Sequence, residues 1–175
     1  MSTTDSPGTI LVAIDSSRNS LLAAGVGARM ARLLGAHLGL IHVLGLPEQS
    51  FWGGVEARMK DEIRGEAEHH LTAITEKMHA VCDILPEFFI VEGLPEVEIP
   101  KVVAEDESII MVIAGRYGVA SEKHSHLRLG RARGHVTVKL METLKVPLVV
   151  VAPDVPLSHI CPGMAEMQTA PETNT

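Results

Sequence analysis

With 175 residues and 46% hydrophobic content, the chain is long enough to bury one hydrophobic core but too short for two. Its net charge of −7 argues against nucleic-acid or membrane-surface binding, because both polyanions repel an acidic protein. No apolar stretch reaches the roughly 18 residues of a membrane-spanning helix, and the first residues, MSTTDSPG, lack the basic and apolar segments of an export signal. We therefore expect a cytoplasmic protein without membrane insertion, whose two cysteines, Cys82 and Cys161, are reduced.

The first half of the chain alternates between strand and helix patterns. Residues 9–15, TILVAID, form a nearly continuous apolar run, which is typical of a strand buried on both faces of a parallel sheet. Helical spacing follows, and Gly35 stands where that helix would end. The apolar positions at this spacing are Leu22, Val26, Met30 and Leu33. Residues 37–44 predict a second strand, followed by a long amphipathic helix. Its apolar face comprises Val55, Met59, Ile63, Ala67, Leu71, Ile74, Met78 and Val81.

The same alternation continues in the middle of the chain. Residues 84–93 predict a third strand, and Pro86 places it at the end or edge of the sheet because proline cannot donate to a ladder. A helix is predicted over residues 96–105. Pro100 removes a backbone donor inside it, so we expect a kink or a late start there.

The last elements complete an α/β pattern. Residues 108–115 and 146–153 predict the fourth and fifth strands, with a helix over residues 135–144 between them. The apolar face of this helix comprises Val136, Leu140 and Leu144. Right-handed crossovers then predict an open, doubly wound, Rossmann-like parallel sheet of order 3-2-1-4-5. Its switch point lies between strands one and four, which end at Asp15 and Gly115, and such sheets bind ligands there.

The predicted domain covers residues 9–153, and a flexible N-terminus, residues 1–8, precedes it. Residues 154–175 are rich in proline, threonine and glutamate and carry no periodic pattern. We expect this tail to be disordered or to pack on a dimer partner.

A basic, glycine-containing loop follows the fourth strand. Residues 115–135 read GRYGVASEKHSHLRLGRARGH. The segment from Arg116 to Lys139 contains six basic residues and one acidic residue, Glu122. A positive segment in an acidic protein favours a small anionic ligand or a local acidic partner. The alternative is a solvated loop without a specific role.

Five segments occur in an order and spacing that are specific enough to suggest a family. They are ILVAIDSS at strand one, LIHV at strand two, VEGLP after strand three, VIAGRYG after strand four and VPLVVVAP as strand five. Together they resemble the universal stress proteins, an adenine-nucleotide-binding α/β family related to the adenine nucleotide alpha hydrolases. The resemblance covers residues 9–153.

The resemblance implies a nucleotide site at the switch point. In nucleotide-binding members, the residues that match Asp15 and Val43 hold the adenine. From the residues alone, Asp15 is equally suited to accept hydrogen bonds from a ligand or to cap the following helix. For Val43, ordinary packing at the end of a strand is the stronger interpretation. The phosphate loop of the family implies a ligand-binding role for the following residues: Ala114, Gly115, Arg116, Gly118, Gly134, His135 and Val136.

The phosphate loop departs from the family pattern in its second half. The family has nine residues between its second glycine and a glycine followed by serine or threonine. Here Gly134 aligns best, so six residues are inserted and His135 replaces the hydroxyl residue. An imidazole crowds the position of a triphosphate, whereas Arg116, Arg128, Arg131 and Arg133 are suited to bind phosphate.

Three interpretations of function stay open. The first is a regulatory protein that binds ATP or AMP and signals through protein contacts. The second is a member of the family that has lost the nucleotide and uses its basic loop as a protein-docking surface, and the third is a slow ATP-hydrolysing enzyme. No catalytic residue set is identifiable, and the histidines lack the i, i+4 spacing of a helical metal pair. We therefore expect no metal beyond nucleotide-bound Mg.

The fifth strand predicts a homodimer. It is the last strand of the sheet, and Val146 to Ala152 carries no charge, so its free edge invites pairing with a second copy. Family members commonly pair through this strand. The alternative is that the tail folds back over the edge of its own chain.

Overall fold

The computed structural model describes residues 7–15, 17–45, 55–116 and 135–156, and it alternates strands with helices along the chain. The elements are β1 (Thr9–Ile14), α1 (Arg18–Leu34), β2 (His37–Leu44), α2 (Val55–Cys82), β3 (Glu87–Glu92), α3 (Pro95–Glu105), β4 (Ile109–Gly115), α4 (His135–Thr143) and β5 (Leu148–Val151).

The strands form one parallel sheet in the order β3-β2-β1-β4-β5, which confirms the predicted topology. β1 lies in the middle and pairs on one side with β2, where Ile14 is opposite His42. On its other side it pairs with β4, where Ala13 is opposite Ala114. The switch point therefore lies between β1 and β4, as expected.

Both faces of the sheet are buried, which explains the continuous apolar runs of the central strands. Alternate residues of β1 point to opposite faces: Ile10 and Val12 pack in the cluster formed with α1 and α2, and Leu11 packs in the cluster formed with α3 and α4. The predicted face of α2 is confirmed where side chains are described, at Ala67, Leu71, Ile74 and Met78. Cys82 is also buried there, and Cys161 lies outside the described residues.

α1 packs on the sheet through small residues together with most of the predicted stripe of large ones. Leu22 is 1% exposed, and Val26 and Met30 pack partly buried against the same cluster. Further buried positions are Ala23, Ala24, Gly27, Ala28 and Ala31. A Cβ atom on Gly27 would collide with Cγ2 of Val12, so the absence of a side chain permits this close approach. The prediction for Leu33 is wrong, because this residue is 72% exposed beside the packed stripe. The predicted end is confirmed: Gly35 adopts a left-handed φ of 64°.

Prolines define several element boundaries. β3 is an edge strand, as predicted, and Pro86 immediately precedes it. The predicted late start of α3 is wrong, since the helix begins at Pro95, where a missing N–H costs nothing, and it contains Pro100. β5 is shorter than predicted, because Pro147 and Pro153 flank its four residues and proline has no N–H to donate.

Candidate functional site

The carboxyl ends of β1 and β4 lie side by side. Asp15 directly follows β1, and Gly115 ends β4 with Arg116 next to it. Because Ala13 pairs with Ala114, these residues meet at one edge of the sheet. The predicted residues Asp15, Gly115 and Arg116 are therefore brought together at the switch point.

Asp15 is half-buried and held in a defined turn. One of its carboxylate oxygens, Oδ1, accepts a hydrogen bond from the backbone N–H of Ser17 at 3.2 Å. Its own N–H donates to Oγ of Ser20 at 3.3 Å. The capping interpretation of Asp15 is wrong, because the N-cap of α1 is Ser17, whose Oγ accepts from the N–H of Ser20 at 3.1 Å. Asp15 instead supports the capping residue.

Removal of this cap has a predictable cost. Ser17→Ala should lower the free energy of unfolding by about 1 kcal/mol, because the N–H of Ser20 loses its acceptor in a buried place. Urea denaturation measures this change. Thr143→Ala is the control, since its hydroxyl bonds only within an exposed helical turn, to the carbonyl of Lys139. Equal effects of the two substitutions would contradict a special role for Ser17.

The β2 side of the site contains a histidine that sequence reasoning did not single out. Nδ1 of His42 lies 2.7 Å from the carbonyl oxygen of Ile14, the residue before Asp15. Because a carbonyl can only accept, Nδ1 carries the proton. The signal available was a polar side chain near the end of an otherwise apolar strand. Val43 is half-buried and packs against the cluster of α3 and α4, as expected for a strand end.

The end of β4 approaches α1 very closely. A Cβ atom on Gly115 would lie 2.9 Å from the backbone C and O atoms of Asn19. Glycine is therefore required here by helix packing, besides any role toward a phosphate. Ala114 is buried in the sheet, so only its backbone can face a ligand, whereas Arg116 is exposed.

The remaining predicted residues belong to the loop after β4 or to the helix that follows it. Gly118 and Gly134 lie outside the described residues, as do the loop arginines Arg128, Arg131 and Arg133. α4 begins at His135, the predicted position, and Val136 packs half-buried against the neighbouring core. Among the side chains that the structure describes, no group of three histidine, cysteine, aspartate or glutamate residues is placed to hold a metal ion.

Strand order and crossovers together define a doubly wound α/β protein whose sheet has its switch point between β1 and β4. The sequence matches the Universal stress protein family over residues 7–152, which is most of its length. The chain belongs to this family, and the resemblance inferred from its five segments is confirmed.

Solved structures share the fold. The universal stress protein UspA from Lactobacillus plantarum has a TM-score of 0.68 and 17% identity, covering 82% of this chain and 97% of that chain. A universal stress protein from Archaeoglobus fulgidus in complex with dAMP has a TM-score of 0.55 and 19% identity, covering 83% and 97%. A family protein from Arabidopsis thaliana with AMP bound has a TM-score of 0.58 and 15% identity, covering 85% and 94%. No curated protein gives a significant match.

The part of the chain that the structure describes contains no candidate for a membrane-spanning helix. None of the helices there combines the length and the apolar character needed to cross a bilayer.

Proposed function

We propose that this protein is a universal-stress-type regulatory protein that binds an adenine nucleotide, ATP or AMP, between the carboxyl ends of β1 and β4 and acts through protein contacts. The observation that carries the proposal is the placement of Asp15. Its carboxylate lies at the switch point, held by the N–H of Ser17, beside the end of β4 at Gly115 and Arg116. A carboxylate in this position accepts hydrogen bonds from an exocyclic amine or a ribose hydroxyl.

The chemistry of the ligand is supported by two solved relatives, which hold dAMP and AMP. Both ligands combine an adenine base with a single phosphate. The surroundings of the phosphate would include the exposed Arg116 and the start of α4, since helix N-termini and arginine both favour anions. Magnesium would accompany ATP, while AMP needs no metal for charge neutralisation.

Asp15→Ala tests the adenine side of the site. We expect nucleotide binding to weaken by about 1 to 3 kcal/mol, roughly 5- to 150-fold in Kd, because the ligand loses a charged hydrogen-bond acceptor. Isothermal titration calorimetry with AMP and with ATP–Mg measures this loss. Glu105→Ala is the control for loss of a carboxylate: Glu105 is exposed at the end of α3, before the amino-terminal end of β4 and away from the switch point. A folded Asp15→Ala protein with unchanged affinity would remove Asp15 from the site.

The identity of the ligand is tested by mass spectrometry of molecules released from the gently purified protein. AMP or ATP at near-stoichiometric amounts supports nucleotide binding. If no nucleotide is found and none binds on titration, the protein is the docking module that lacks a nucleotide. Steady release of ADP from added ATP would instead identify a hydrolase.

We also propose that the protein acts as a homodimer through the edge of β5 and presents its regulatory surface in that form. β5 is the last strand of the sheet, and Val150 is 40% exposed on it although it is apolar. A second copy paired along Val146 to Ala152 would form hydrogen bonds with the backbone of this outer edge and cover that side chain. The tail, residues 154–175, was expected to lie on a partner or to be disordered. At its described start, Val155 packs against the cluster formed with α1 and α2 of its own chain, and residues 157–175 lie outside the described residues.

A further inference from the structure

The carbonyl oxygen of Val151, at the end of β5, is shared by two donors from different elements. The backbone N–H of Arg116, just after β4, donates to it at 2.9 Å. Nδ2 of Asn19, in the first turn of α1, donates to it at 3.1 Å across 132 positions of sequence. Since a carbonyl oxygen has two lone pairs, both are used, and three elements are joined at one atom.

Asn19 is a buried residue, although it lies in the first turn of a helix. It is 2% exposed, and its backbone crosses over Gly115 so closely that any side chain on Gly115 would collide with it. A buried amide that donates to a buried carbonyl specifies one arrangement, because any other leaves polar groups without partners.

β5 depends on this contact more than a central strand would. It has four residues, lies at the edge of the sheet and is flanked by Pro147 and Pro153, which cannot donate hydrogen bonds. Its carboxyl end is held to β4 by the bond from Arg116 and to α1 by the bond from Asn19. Loss of the Asn19 bond should therefore loosen the end of β5 while the rest of the sheet is unaffected.

The same turn of α1 is tied to Asp15 on its other side. Oδ1 of Asp15 accepts from the N–H of Ser17, and the N–H of Asp15 donates to Oγ of Ser20. Asn19 lies between these two serines in the chain and in the same helical turn. A ligand at the backbone of Arg116 thus acts on a group that is bonded to the carbonyl of Val151, and a ligand at Asp15 acts on the turn of α1 that carries Asn19.

We propose that Asn19 is the positioning residue that couples occupancy of the switch-point site to the edge of β5, through the shared carbonyl of Val151. The proposal rests on the proposed function, because the ligand is the adenine nucleotide assigned to that site. Nucleotide binding then tightens the end of β5, the strand proposed to pair with a second copy. Since linkage is reciprocal, order at this edge strengthens nucleotide binding by the same factor.

The test is residue-resolved amide hydrogen exchange, followed by NMR with and without AMP. In wild-type protein, AMP should slow exchange of the Arg116 amide, which donates to Val151, and of the amides of Leu148–Val151. Without ligand, Asn19→Ala should speed exchange of the Arg116 amide about fivefold, the factor for loss of one neutral hydrogen bond. With AMP bound, that variant should show no further slowing at β5.

Two further variants keep the test decisive. Asn19→Asp keeps the shape of the side chain but replaces Nδ2 with a carboxylate oxygen, which cannot donate to the carbonyl of Val151. It should therefore behave like Asn19→Ala. Because its side chain is not smaller, it separates loss of the bond from any effect of the truncation in Asn19→Ala. Thr9→Val is the matched control, because it removes a different buried hydroxyl, which lies 3.2 Å from Oγ of Ser108 at the amino-terminal ends of β1 and β4. This control should keep the wild-type response of β5 to AMP.

Failure of the coupling and failure of the proposed function give different results. If wild-type protein binds AMP but β5 exchange does not change, or if both Asn19 variants respond as wild type does, the coupling is refuted and the proposed function stands. If wild-type protein binds neither AMP nor ATP in calorimetry, the proposed function fails, and the coupling fails with it before any exchange is measured.

Discussion

Gly115→Val should be among the most damaging single substitutions in this protein, lowering the free energy of unfolding by about 3 kcal/mol. The new Cβ atom would lie 2.9 Å from the backbone C and O atoms of Asn19, and backbone atoms cannot rotate away as a side chain can. The start of α1 would have to withdraw from β4, which would also break the bond between Asn19 and Val151. Folded protein should therefore bind AMP poorly. Urea denaturation and calorimetry measure the two effects.

Gly65→Val serves as the control for this substitution. Gly65 lies in α2, and apart from the backbone of its own helix no atom of the described residues lies within 4 Å of the place its Cβ would take. Valine there should change stability by no more than about 0.5 kcal/mol, since it replaces a poor helix former without crowding. If Gly115→Val is as stable as Gly65→Val, the close contact between α1 and β4 is not a determinant of the fold.

The strands of the sheet were predictable because each one is visible in its own short stretch of sequence. In a parallel sheet covered on both faces, a strand such as β1 must be apolar at successive positions, and that run is visible in Thr9–Ile14. The strand order followed from the handedness of crossovers rather than from any residue. Asp15 could be placed at the switch point for the same reason, since its position after β1 is a matter of topology.

The packing of α1 was only partly predictable from hydrophobic spacing. Leu22 is buried as expected, but most of the other buried positions are alanine and glycine, which carry little hydrophobic signal, and Leu33 is exposed. These small residues allow the helix to approach the sheet closely, as at Gly27 and Gly115. A count of large apolar residues therefore indicates the buried face of the helix but not how closely it packs.

The role of Asn19 was hidden for a different reason. Within the segment SSRNS it is one of several residue types that favour helix starts, and the N-cap turned out to be Ser17. Its partner, Val151, is 132 positions away, so no local pattern reveals the bond. The same limit applies to His42, whose contact with the carbonyl of Ile14 depends on the register of β1 and β2.

The second large effect is expected at the outer edge of β5, where Val150→Lys should convert the proposed dimer into a folded monomer. Val150 is apolar and 40% exposed, and in a pair formed along this strand it would lie at the contact between copies. A lysine there places a charge in the contact, and two related copies place two like charges close together. Light scattering at micromolar concentration measures the mass, and circular dichroism confirms the fold.

Val97→Lys is the matched control, because Val97 is equally exposed, at 42%, but lies on α3, whose core contacts are with β2 and α4 rather than with β5. It adds the same charge to the chain, so a general effect of charge on association would appear in both variants. We expect this control to remain dimeric. A wild-type protein that is already monomeric, or a Val150→Lys protein that stays fully dimeric, would reject β5 as the interface. If only the Val150→Lys protein dissociates, the interface between the two copies includes β5. This is the strand whose carboxyl end Asn19 holds.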